Sequence, residues 1–138
     1  MTPTQGTRRL GGRFLVEATV GRGGNGIVYR AWDTVTEQQV ALKLLEGEGG
    51  ADPTLVDRME QEGRLLASLS HPGIVRTVAW GTLPDAGGVP FVAMEWLDGE
   101  DLATRQRRDP LTTAEAIEIV TRVGRALQAA HEAGVVHR

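Results

Sequence analysis

The sequence predicts an α+β fold: a small antiparallel sheet carrying one helix, followed by the beginning of a helical region. Three observations predict it. Short β-rich runs separated by turn chemistry fill the stretch from Phe14 to Glu46. A single stretch with helical apolar spacing then interrupts the strands. After Leu97-Asp98-Gly99 the character becomes helical up to the last residue.

In order, residues 1–13 are polar and contain Gly and Arg, which predicts a flexible tail. Phe14–Val20, Ile27–Trp32 and Gln39–Leu45 read as three strands of a meander. Gly47–Gly50 is a break, and Asp52-Pro53 fits an N-cap followed by Pro at the first helical position. Leu55, Met59, Leu66 and Leu69 share one face of the helix that follows, which His71-Pro72-Gly73 should end near Ser70. Two more strands, about Ile74–Thr82 and Val89–Glu95, are joined by the turn Pro84-Asp85-Ala86-Gly87-Gly88, giving five in all. A short polar helix is predicted over Glu100–Arg108. A longer one starts at Thr112, where Thr112-Thr113-Ala114-Glu115 fits a capping box. Ile117, Val120, Gly124, Leu127 and His131 mark one of its faces, with His131 expected to point into a core.

Composition narrows the function. A chain of 138 residues has room for one domain. Its net charge of −3 argues against a generally basic nucleic-acid binder. The absence of cysteine excludes a disulfide framework and a thiolate zinc site. The three His residues lack metal-ligand spacing, and no metal-binding residue is expected here. No stretch reaches signal-peptide or transmembrane length, so a cytoplasmic, reducing compartment is expected, with no membrane segment in this chain. Arg105-Gln106-Arg107-Arg108 reads as a solvated helix face. One count stands out: of fifteen basic residues, only Lys43 is a lysine. Arg would serve for an ordinary solvated charge, so a solitary ammonium asks for a reason.

Gly21-Arg22-Gly23-Gly24-Asn25-Gly26 matches G-x-G-x-x-G, which alone is weak. A dinucleotide fingerprint needs a helix straight after the glycines. Here Ile27-Val28-Tyr29 follows, so the glycines join two antiparallel strands. Such a hairpin is either simply flexible or lets backbone N–H groups approach phosphate oxygens. Lys43 sits in a strand with Val40, Leu42 and Leu44 on the opposite face. Glu62 falls in the apolar stripe of the helix, where a carboxylate is costly unless a cation meets it. Lys43 is the only lysine available, although an Arg partner or a Glu turned to water are alternatives.

These residues resemble a eukaryotic-type protein kinase. The resemblance is carried by Gly21-x-Gly23-x-x-Gly26-x-Val28, Val40-Ala41-Leu42-Lys43, and Glu62 ahead of Leu69-Ser70-His71-Pro72-Gly73-Ile74-Val75. Val92 to Gly99 resembles the inter-lobe hinge, and Val135-Val136-His137-Arg138 the approach to the H-R-D catalytic loop. The string Gly21–Tyr29, with its double glycine, is most similar to bacterial serine/threonine kinases. The resemblance implies a protein-kinase-like N-lobe and hinge over 14–97, with five antiparallel strands and one helix, and the first helices of an incomplete C-lobe over 98–138.

It also implies roles. Gly21, Gly23, Gly24 and Gly26 would form the loop over the ATP phosphates. Lys43 would hold the α- and β-phosphates, oriented by an ion pair with Glu62. A compact ammonium fits this task better than a guanidinium. Val20, Val28, Ala41, Val75 and Met94 would line the adenine pocket, with Met94 as gatekeeper, and the Glu95 carbonyl and Leu97 N–H would bond the adenine edge. Asp101 is a weaker candidate for the ribose hydroxyls; a solvated helix charge is the better reading of it.

Two departures accompany the resemblance. Asn25 stands where an apolar residue is usual at the loop tip. The sequence also reaches Arg138 before the positions of the catalytic Asp and the metal-binding Asn and Asp, so Mg²⁺ ligands are expected only downstream. An intact enzyme would transfer the ATP γ-phosphoryl group to Ser/Thr hydroxyls of protein substrates, whereas this chain alone is expected to be inactive. Two alternatives are a non-catalytic, pseudokinase-like nucleotide-binding or regulatory module, and a purely structural β-rich interaction domain. The apolar face Ile117–His131 has nothing in the chain to cover it. The isolated chain is therefore expected to aggregate or to need a partner; a monodisperse, cooperatively melting monomer in size-exclusion chromatography with light scattering would contradict this.

Overall fold

The computed structural model describes residues 8–23, 26–45 and 53–136. It divides into two compact units: the chain up to Ser68 together with Arg76–Trp96, and Leu69–Val75 together with the chain from Leu97 onward.

The first unit is a six-stranded antiparallel sheet with one helix. In chain order the strands are β1 (Arg9–Leu10), β2 (Phe14–Gly23), β3 (Gly26–Asp33), β4 (Gln38–Leu44), β5 (Thr77–Leu83) and β6 (Val89–Glu95); helix α1 (Pro53–Ser68) precedes β5. The spatial order is β1-β2-β3-β4-β6-β5. Five strands are those the sequence predicts, with Val89–Glu95 matching to the residue. The sixth, β1, comes from the segment expected to be tail.

Strand alternation gives the sheet two chemically different faces. Ile27 pairs with Leu44, Tyr29 with Leu42 and Ala31 with Val40; Leu42 and Leu44 then pair with Ala93 and Phe91. All of these are buried and form one core with Leu10, Phe14, Ala79 and Leu83. Phe14 meets Phe91 edge to face, ring centroids 5.2 Å apart, the arrangement that ring quadrupoles favour. Strand β2 carries irregularities between Val16 and Ala18 and between Thr19 and Gly21, so Glu17 and Val20 stand out of register with β3.

The segment before Phe14 is fixed by polar contacts that composition did not reveal. Gly11 has φ +59°, and its N–H donates to both oxygens of Asp85, at 2.9 and 2.7 Å, across 74 residues of chain. A Cβ on Gly11 would sit 2.6 Å from Leu83 Cδ2, so packing and backbone conformation both require glycine there. Arg13 then clasps the carboxylate of Asp33 with two bonds, Nε to Oδ1 at 2.7 Å and Nη2 to Oδ2 at 2.6 Å. Its guanidinium also lies 5.0 Å from the Phe14 ring centroid. The flexible-tail expectation is thus corrected for Arg8–Arg13; residues 1–7 lie outside the described residues.

Two other boundaries move for local reasons. Strand β5 begins at Thr77 and not near Ile74, because the Ile74 N–H closes a turn onto the His71 carbonyl at 3.0 Å. His71 Nδ1 also accepts the Gly73 N–H at 2.9 Å within the same turn. In α1, whose N-cap position Asp52 and whose Leu55 and Met59 side chains lie outside the described residues, Leu66 is half-buried and the buried position is Gly63.

The second unit holds α2 (Leu102–Arg108) and α3 (Thr113–Glu132). Helix α2 starts later than Glu100 because Asp101 caps it, accepting the Thr104 N–H at 2.7 Å. The capping box of α3 forms as predicted: Thr112 Oγ1 accepts the Glu115 N–H, and Glu115 accepts the Thr112 N–H. The buried positions of α3 are Ala126 and Ala130, one turn apart, and Gly73 lies against Ala126. Ile117, Val120 and Leu127 are exposed, and so is His131, which corrects its expected core-facing role.

Asp33 has no exposed surface. Burial alone would raise its pKa. The bonds from Arg13, from the Thr36 hydroxyl at 2.7 Å and from the Val35 N–H at 3.0 Å outweigh that and bring it down to about 2. A folded pKa below the unfolded value of about 3.9 means the stabilisation is complete above pH ~4 and lost as pH falls toward 2. Asp33→Ala is expected to cost about 2–3 kcal/mol in urea unfolding at pH 7, Arg13 being partly solvated. The cost should shrink steadily between pH 4 and 2.

Candidate functional site

The face of the sheet opposite the core collects Val28, Ala41, Lys43 and Met94 from the predicted site. Register places Val28 opposite Lys43, Lys43 opposite Val92, and Val92 opposite Trp80. Directly paired residues share a face, so these four side chains form one row across β3, β4, β6 and β5. A neighbouring row on the same face runs Arg30, Ala41, Met94 and Thr77. Lys43 is half-buried between Val28 and Val92, while Val40, Leu42 and Leu44 point into the core behind it. Its apolar stem is covered and its ammonium faces the opposite side from the core.

The glycines border this face. Gly21 pairs with Val28, and Gly23 with Gly26 at the last register position before the hairpin tip. A Cβ at Gly21 or Gly23 would meet nothing within 4 Å, so the space above the backbone is open. Gly24 and Asn25 lie outside the described residues. Val20, beside the irregularity in β2, is 55% exposed.

Helix α1 reaches the far end of the Lys43 row. Gly63 is buried against Trp80: a Cβ there would fall 2.3 Å from Trp80 Cδ1 and 2.4 Å from Cγ. Glu62 precedes it in the helix, and its side chain lies outside the described residues. Neither Gly63 nor Trp80 was singled out from sequence. The available signal was a glycine inside a helix, which costs about 1 kcal/mol relative to alanine and so asks for a packing reason.

At the end of β6 the chain is held by several contacts. The Glu95 N–H donates to the Arg76 carbonyl at 2.9 Å, and the Arg76 N–H donates back to Glu95 Oε1 at 2.8 Å. The Trp96 ring lies beneath the Arg30 guanidinium, 5.8 Å from its centroid. Arg30 Nε is 2.9 Å from Glu17 Oε2, the oxygen that also accepts from Gln39 Nε2 at 3.0 Å. Val75 and Leu97 belong to the second unit, where they are 40% and 60% exposed. Asp101, the weaker ribose candidate, is engaged as the cap of α2. Hydrogen bonds from Thr104 lower its pKa. Among the described residues no group of three or more His, Asp or Glu could hold a metal ion.

This arrangement, a glycine-edged hairpin over a face with one ammonium and small apolar neighbours, suits a phosphate-bearing ligand with a flat apolar ring. Comparison with known proteins agrees. Residues 14–138 match the protein kinase domain. The chain is 41% identical over 128 residues to the serine/threonine-protein kinase PknE of Mycobacterium tuberculosis, covering 92% of this chain and 22% of that protein. It is 36% identical over 141 residues to PknA of the same organism, covering 100% of this chain and 32% of that one. The chain therefore spans between a fifth and a third of the length of these relatives. Its structure is similar to the crystal structure of the M. tuberculosis PknI kinase domain, with TM-score 0.79 and 29% identity over 99% of this chain and 54% of that one. With the ordered motifs and the sheet register, these matches show that the chain belongs to the protein kinase family, among the bacterial eukaryotic-type serine/threonine kinases.

Proposed function

We propose that this chain is the ATP-binding part of a serine/threonine protein kinase that transfers the γ-phosphoryl group of ATP to Ser/Thr hydroxyls of a protein substrate, working in the cytoplasm. The observation that carries the reading is the pair of cross-strand rows, which puts Val28, Ala41, Lys43 and Met94 on one face beside the glycine hairpin. ATP would supply the transferred group, and Mg²⁺ the neutralisation of its charge.

The chain's own residues bind and orient. Gly21, Gly23, Gly24 and Gly26 would form the loop over the phosphates, where glycine leaves no side chain in the way, and Lys43 would hold the α- and β-phosphates. Glu62 would pair with Lys43 and fix its direction. Ala41 is small enough to leave room for a purine, with Val20, Val28 and Met94 as its apolar neighbours. The Glu95 N–H is already bound to Arg76, which leaves the Glu95 carbonyl to meet the adenine edge. No described residue group suits Mg²⁺, so no residue of this chain is assigned to it.

Isothermal titration calorimetry with ATP tests the reading. The chain should bind ATP. Ala41→Leu, which fills the purine space, should weaken binding at least tenfold. Lys43→Met should weaken ATP severalfold more than it weakens adenosine, since only the phosphates lose a partner. Equal ATP affinity in all three proteins would exclude the site.

A further inference from the structure

We infer that Gly63, with Trp80, is a positioning pair that sets how closely helix α1 approaches the Lys43 row, and so whether Glu62 can meet Lys43. The inference rests on the ATP-site reading above and adds residues to it. Glycine opposes helix formation, and alanine would be the better residue at this position in a helix. What makes alanine costly is the ring: a Cβ at Gly63 would be 2.3 Å from Trp80 Cδ1, about 1 Å inside ordinary van der Waals contact.

The ring has little room to yield. Trp80 is half-buried and paired with Val92, and the atoms that collide, Cδ1 and Cγ, lie on the part of the indole nearest its own backbone. The strain therefore falls on the helix. Toward the N-terminal end of α1 a small apolar cavity lies beside this contact, lined by Val56 and Glu60 on the helix and by Trp80, Thr82, Pro90 and Phe91 on the strands. Gly63 is a tight point in the contact between α1 and β5. The row Lys43–Val92–Trp80 runs from the ammonium to this point with one residue between. A helix displaced by about 1 Å carries the neighbouring carboxylate with it, and errors of that size are enough to disable a positioned ion pair.

The solitary lysine makes a direct test available. An acyl-phosphate derivative of ATP acylates an amine held at its phosphates, and Lys43 is the only side-chain amine in the chain. The labelling rate of Lys43 is read by intact-mass and peptide mass spectrometry, with the N-terminal amine as internal reference. Gly63→Ala should slow labelling roughly five- to tenfold, to the rate of Glu62→Gln. The two substitutions together should be no slower than either alone. Gly63→Ala with Trp80→Leu should recover at least half of the original rate.

A well-folded Gly63→Ala protein labelled at the original rate would overturn the inference. So would a loss that multiplies with that of Glu62→Gln, since it would arise from general loosening. If Gly63→Ala does not fold, Trp80→Leu decides, because it removes the support without intrusion: slowing that is non-additive with Glu62→Gln supports the pair, and an unchanged rate refutes it. Should Lys43 react no faster with acyl-ATP than with acetyl phosphate in the unsubstituted chain, the ATP site itself fails, and this inference with it.

Discussion

The pairing of β3, β4 and β6 is the constraint on which the rest of the structure depends. Seven consecutive register pairs join β3 to β4, and five join β4 to β6. Side chains alternate along a strand, so a slip of one residue would exchange the two faces completely. It would turn Lys43 into the core and push Leu42 and Leu44 out to the ligand side. The register is therefore held by burial of Ile27, Tyr29, Ala31, Val40, Leu42, Leu44, Phe91 and Ala93, and these residues fix the site without touching it.

Polar contacts of long sequence separation then close the unit around that core. The Arg13–Asp33 clasp and the Gly11–Asp85 bonds fasten the segment before β2 to the β3–β4 and β5–β6 turns respectively. A buried pair of this kind adds less net stability than its bond lengths suggest, because both groups give up water. Its larger effect is specificity of position. With Asp33 buried, a chain that does not bring Arg13 to it leaves a carboxylate without a partner. Arg30, Glu17 and Gln39 form a second polar cluster near the same end of these strands, with the Arg30 guanidinium over the Trp96 ring.

Helix α1 shows how tertiary contact can outweigh local preference. Its mid-helix glycine lowers helix propensity, yet the side chain that glycine lacks is what allows the backbone to approach Trp80. In the second unit the balance is different. Helix α3 has a complete capping box and buries only small residues, Ala126 and Ala130. Its larger apolar residues, Ile117, Val120 and Leu127, remain outside that packing and are exposed.

What the sequence determined by itself was whatever depends on local chemistry and short periods. Alternation in Gln39–Leu45 placed Lys43 opposite its buried neighbours, Asn25-Gly26 followed by Ile27-Val28 distinguished a hairpin from a strand-to-helix turn, and Thr112 with Glu115 announced α3. The ordered motifs carried the family. Tertiary structure alone decided which strands lie side by side, and hence that Val28, Ala41, Lys43 and Met94 share a face. It also decided that Arg8–Arg13 is not a tail, that His131 is exposed, and that Gly63 lies tight against Trp80. Each of these turns on partners distant along the chain, such as Asp33 for Arg13 or Trp80 for Gly63. Neither periodicity nor composition encodes such a meeting, because the energy that selects it exists only once the chain has folded.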